Sequence, residues 1–247
     1  MVRPKRRKRR PQNRLRFNAK RWRSRLWRSR LTWIGLPVLG LAVGIWATLR
    51  FSLLAPEPPL QTDNVCDIFR EHTAWYDYAR DSRDRWGTPI ATQMAFVYYE
   101  SSFRSHARPP RTRLWGLIPW RRPSSALGYA QALDPAWQEY LAANEGTWTT
   151  VRTDMRHALD FVGWYNHLSN RELGIAFTEP RNLYLAYHEG RGGYARRSFE
   201  QKPEIEALAS RVQNRAFRYH NQLQQCEQEF QCWRWYQVWP FCQAGNR

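Results

Sequence analysis

The first thirty residues contain no aspartate and no glutamate, yet they carry 15 lysines and arginines. Outside that stretch and Arg50, 23 basic residues face 21 acidic ones, so the body of the chain is close to neutral and the net charge of +18 belongs to a tail. This distribution argues against a nucleic-acid-binding domain, and no nucleic-acid partner is expected. Alternating apolar and polar runs are nearly absent, which argues against a sheet-built fold. No internal repeat is visible, and no CxxC pair or histidine accompanies the cysteines, so a zinc site is not expected and no metal is assigned.

Aromatic residues, by contrast, make up 15% of the chain. They suit either a core rich in rings or a groove for flat ligands such as sugars. Residues 1–30 read as a basic cytoplasmic tail whose Trp22 and Trp27 suit an anionic lipid interface. Leu31–Leu49 is uncharged and mostly apolar, and as a helix it spans about 28 Å, the thickness of a bilayer core. Trp33 and Trp46 lie near its ends, and Arg30 and Arg50 bracket it. The apolar run and its charged flank are too long for a cleaved signal peptide, so 31–54 is expected to be a retained single-pass anchor. The positive flank puts the N-terminus in the cytoplasm and the body outside it. Gly40 and Gly44 form a GxxxG pair that could support dimerisation.

Residues 55–63 are a Pro-rich linker, 64–230 a globular, mainly helical body, and 231–247 an aromatic tail. Within the body, Asp63 or Asn64 is expected to cap a helix running to about Trp86, with Ile68, Phe69, Trp75, Tyr76 and Ala79 in the core. Gly87 stops that helix and Thr88-Pro89 opens the next, whose buried stripe is Ile90, Ala91, Met94 and Val97. Glu100 follows at the stripe's edge, where partial desolvation raises a carboxyl pKa. Further helices are expected from Asp134 to Ala143, from Thr153 or Asp154 to Leu168, over Arg181–His188 and over Lys202–Glu229. Arg104–Leu127 reads as a long loop and Arg191-Gly192-Gly193 as a flexible turn.

Cys66, Cys226, Cys232 and Cys242 allow three pairings. If the first and last body helices pack antiparallel, Cys66 meets Cys226, and Cys232–Cys242 then pins the aromatic tail.

Three short pieces carry chemistry when taken in order. They are Glu100-Ser101-Ser102-Phe103, then Ser125-Ala126-Leu127-Gly128-Tyr129-Ala130-Gln131, then Ala186-Tyr187-His188-Glu189-Gly190. Together they resemble the soluble lytic transglycosylase family, with its goose-lysozyme-like helical fold, over roughly residues 75–194. The resemblance implies that Glu100 is the catalytic acid of a peptidoglycan-cleaving site. It would protonate the oxygen between N-acetylmuramic acid and N-acetylglucosamine, then accept the proton of the C6 hydroxyl as that oxygen closes on C1. The product is a 1,6-anhydro sugar, with no water consumed. Ordinary glycosidases need two carboxylates at a set separation, and the three motifs offer no matching second one, with Glu189 the exception to weigh.

By the same resemblance, Ser101 or Ser102 orients the substrate, Gln131 bonds a sugar acetamido group, and Tyr187 bonds or packs against the acid. Gly128 and Tyr129 line the groove, and His188 and Glu189 border it. His188 stands where the family has Asn, Glu189 where it has a small residue, and Ala130 where it has Met. The departures at His188 and Glu189 motivate one alternative, a peptidoglycan-binding scaffold without turnover; a second is a hydrolytic lysozyme in which Glu189 or another acid activates water. No cofactor is implied. The expected setting is the bacterial inner membrane with the body in the periplasm, compatible with an envelope or secretion complex.

Overall fold

The computed structural model describes residues 39–46, 56–114 and 117–231, and the chain divides into two units, Met1–Ala55 and Pro56–Arg247. In the first unit, residues 39–46 are helical and exposed. The rest of the expected anchor, the basic tail, Trp115, Cys232 and Cys242 lie outside the described residues. Among the described residues, no helix is long and apolar enough to cross a membrane.

The second unit is mainly helical. Its elements are α1 (Val65–Glu71), α2 (Thr73–Trp86), α3 (Ile90–Ser101), a two-stranded ribbon β1 (Arg113–Leu114) and β2 (Ile118–Pro119), α4 (Asp134–Ala143), α5 (Met155–Leu173), α6 (Pro180–Glu189), α7 (Arg191–Ala195), a 3₁₀ turn Ser198–Gln201, and α8 (Pro203–Gln231). The sequence leads one to expect a single helix up to Trp86, but the chain breaks at His72 (φ −125°, ψ 70°), whose ring stacks on Trp75 at 4.0 Å. Asn64 caps α1 by accepting from the Cys66 N–H. Gly87, at φ +89°, ends α2 in the left-handed region that a side chain disfavours. Asp154 caps α5 by accepting from the backbone of Arg156 and His157.

The central element is α3. Every residue from Ile90 to Val97 is buried, including Thr92 and Gln93, so the helix is enclosed all round and not along one stripe. It packs on α8 while α2 packs on α5, and α6 also lies against α8. Buried Gln93 gives its amide nitrogen to the Thr88 and Ala79 carbonyls at 2.8 and 3.1 Å, while its side-chain oxygen is buried without a partner. Thr88 is buried and does not serve as the cap; Pro89 occupies that position with no side-chain bond.

Two covalent and polar ties bring the chain ends of the body together. Cys66 at the start of α1 is bonded to Cys226 near the end of α8, with 6.1 Å between Cα atoms. Arg215 of α8 is buried, lies 3.5 Å over the Tyr98 ring, and donates to the Thr62 carbonyl and the Asp63 carboxylate. The second half of the Pro-rich segment is thereby held on the body, with Pro59 buried and the Leu60 N–H given to Glu71. It is not a free spacer along its whole length.

Candidate active site

Glu100 lies in the last turn of α3, one helical turn beyond the enclosed stretch that ends at Val97. The helix is stopped at once by a tight turn: Ser102 (φ +50°) and Phe103 (φ +59°) both take left-handed conformations. What holds that strained turn is the Phe103 side chain, wholly buried and stacked on Trp75 at 5.8 Å. The E-S-x-F piece therefore has a mechanical meaning. Its aromatic residue is a plug that ends the helix and leaves the carboxyl at the rim of the core.

The Glu100 carboxyl is partly exposed yet crowded by protein. Burial raises its pKa from 4.5 to about 7, against the lowering effect of a hydrogen bond from Tyr184. Tyr184 is wholly enclosed, and burial together with the neighbouring Glu100 charge pushes its hydroxyl far up, so it stays a donor. Tyr187, one turn further along α6, is likewise raised well above its ordinary value by burial and by Glu100. Its hydroxyl donates to the Ala130 carbonyl. Phe96 of α3 meets both rings edge-on, with centroids 5.1 and 5.4 Å away. The three sequence pieces thus converge: α3 and α6 join through Phe96 and Glu100, and α6 joins the 125–131 segment through Tyr187.

Tyr184 is absent from the residues the motifs single out. Its position three residues before Tyr187 puts both on one helix face, which is the signal the sequence did contain. By pattern alone it is a core aromatic.

The other candidate residues separate into two groups. Ser102 is exposed and His188 is exposed, so both are accessible. Gln131, at φ +48°, uses its amide nitrogen to donate to the Ala107 and Gly128 carbonyls, 2.8 Å each. Two carbonyl partners require that end to be the nitrogen, which leaves the Gln131 side-chain oxygen as an acceptor.

Four other candidate residues have structural commitments of their own. Ser101 is buried and spends its hydroxyl proton on the Val97 carbonyl at 3.1 Å, so it does not reach a groove. Tyr129 is 0% exposed, packed edge-on to Trp75 at 5.7 Å, and is part of the core. Gly128 owes its glycine to the fold: it sits at φ +83°, and a Cβ there would be 2.0 Å from the Arg152 carbonyl oxygen. Glu189, whose side chain is only 4% exposed, is committed elsewhere. It accepts from Lys202 at 2.9 and 3.0 Å, from Ser198 at 2.6 Å, and pairs with His188 at 3.2 Å. Burial pushes this carboxyl up, but the bonds from Lys202, Ser198 and His188 outweigh it and bring it down to about 2. It is a permanent anion that ties α6 to the 3₁₀ turn and to the residue before α8.

Two cavities lie away from Glu100. One, of about 290 Å³, is polar and lined by residues such as Tyr78, Arg85, Arg156 and Asp160. The other, of about 180 Å³, is apolar and lies between Pro89, Phe177 and Phe217. Among the described residues, no group of three or more His, Cys, Asp or Glu side chains could hold a metal ion.

A mainly helical body that holds one protonatable carboxyl group at a buried helix end, under a pair of tyrosines, has the build of a lysozyme-like domain. The chain belongs to the transglycosylase SLT domain family, whose model matches residues 39–226. Neither the curated proteins nor the solved structures compared with it contain a match.

Proposed function

We propose that the protein is a membrane-anchored lytic transglycosylase of peptidoglycan, with Glu100 acting first as acid and then as base. The observation that carries this reading is the Glu100 carboxyl, brought to about 7 by burial with a tyrosine donor beside it. A group poised there can release a proton near neutral pH and take one back in the next step. Proton transfer to the glycosidic oxygen opens the C1–O bond. The C6 hydroxyl then attacks C1 and returns its proton to Glu100, which gives the 1,6-anhydro ring. Gln131 accepts an acetamido N–H through its free oxygen, and Ser102 and His188 border the same groove.

Glu189 bears on the hydrolytic alternative. A carboxylate held at about 2 and already receiving three side-chain donors is a poor base for water. The reading therefore keeps one carboxyl in the chemistry. Residues 31–54 serve as the anchor and residues 1–30 as a cytoplasmic tail, so that the body faces the periplasmic glycan. The body spans 64–230, and an envelope or secretion complex is the natural setting for a tethered enzyme of this kind.

The test is digestion of purified sacculi followed by mass spectrometry of the soluble products. Anhydro-muropeptides that disappear in Glu100→Gln support the proposal. Reducing-end products point to a hydrolase, and retention on sacculi without any soluble product points to a binding scaffold.

A further inference from the structure

Between Glu100 and Asp134 the chain has six arginines and no acidic residue. The ribbon β1–β2 stands in the middle of this stretch, paired antiparallel with Leu114 opposite Ile118. Its ladder continues outward from the strands: the Trp120 N–H donates to the Thr112 carbonyl at 2.6 Å and the Thr112 N–H to the Arg121 carbonyl at 2.9 Å. At the tip Leu117 is 83% exposed, and Trp120 is 52% exposed. Arg111 and Arg121 flank the base and are exposed as well. The segment is fastened to the body below, where the Ala107 carbonyl accepts from the Gly128 N–H and the Gln131 amide.

Three features of this element suit a lipid surface. Its backbone groups are paired across the ribbon, which lowers the cost of leaving water. The exposed Leu117 in the turn and the exposed Trp120 nearer the base, beside Arg121, match the head-group boundary, where amphipathic rings settle. Arginines behind the tip carry the charge that anionic head groups attract.

We infer that the ribbon is a docking element for an anionic bilayer surface, with Leu117 and Trp120 entering the interface and Arg111 and Arg121 pairing with phosphates. The inference stands on the ribbon and is independent of what Glu100 does.

The test is hydrogen–deuterium exchange of the full chain in lipid nanodiscs, either purely zwitterionic or containing anionic phospholipid. Amides of 111–114 and 117–121 should exchange about tenfold more slowly in the anionic discs, and each arginine removed should weaken that protection about fivefold. Both Leu117→Ser/Trp120→Ser and Arg111→Glu/Arg121→Glu should abolish it, while exchange within 90–101 stays unchanged and reports an intact fold. Equal exchange in the two lipids overturns the inference. So does protection that is produced by soluble glycan strands in the absence of anionic lipid.

Discussion

The Tyr184 hydroxyl acts on the Glu100 carboxyl and favours its charged form, whereas Tyr187, one turn on, gives its hydroxyl to the Ala130 carbonyl. The two tyrosines share a helix face but divide the work. One sets the acid, and the other ties the acid's helix layer to the segment that carries Gln131.

Loss of the Tyr184 bond removes a contact that favours the charged form of Glu100. In Tyr184→Phe the alkaline limb of the activity profile should move up by about 0.5–1 pH unit, the worth of a hydrogen bond to a charged group after partial screening. Tyr187→Phe should lower stability through an unpartnered Ala130 carbonyl and leave that limb where it is. A pH–rate profile of both variants distinguishes the two roles.

Glu100 binds its proton more tightly folded than unfolded, since its pKa rises from 4.5 to about 7. Its neutral form is favoured by the fold, so the folded state loses stability as pH climbs through that interval. Glu100→Gln should abolish activity and, at pH 8, raise stability by about 1–3 kcal/mol, the lower end reflecting the carboxyl's partial exposure. At pH 4 the gain should vanish. Thermal melts at the two pH values measure it.

For Glu189 the sign is opposite. Its carboxyl is depressed to about 2, so its contribution is complete above the ordinary 4.5 and is lost as pH falls through about 2. Glu189→Gln should destabilise the body by about 1–3 kcal/mol at pH 7 by leaving Lys202 and Ser198 with a weaker partner. The reaction should still yield anhydro ends. A switch or total loss of products in a folded Glu189→Gln protein would contradict the structural role assigned to it.

The Cys66–Cys226 bond closes a segment 160 residues long. Cys66→Ser/Cys226→Ser should cost about 2–5 kcal/mol, which lowers the melting temperature by roughly 5–15 °C for a body of this size. Reduction of the native chain should produce a comparable drop.

Much of the helical order was legible because it is local. Asn64, Asp154 and Gly87 act as caps and stops over a few residues, and the starts and ends they signal are where α1, α5 and α2 have them, apart from the break at His72. The pairing of Cys66 with Cys226 also followed from reading the first and last helices as antiparallel neighbours. The enclosure of α3 was not legible as such. An apolar run ending in a carboxylate looks the same whether one face or all faces are covered, and only α8 on one side with α2 and α5 on others makes it central.

The site divides along the same line. The sequence, through its resemblance to the transglycosylase family, determined which three pieces belong together and that Glu100 is the carboxyl among them to examine, because motif order is a property of the chain. The tertiary structure decided which neighbours each side chain has. It put Tyr184 on the acid, turned Ser101 and Tyr129 inward, gave Gly128 to the Arg152 carbonyl, and bound Glu189 to Lys202. Those contacts join residues far apart in sequence, and burial and hydrogen bonding, the forces that set a proton's affinity, depend on distance in space.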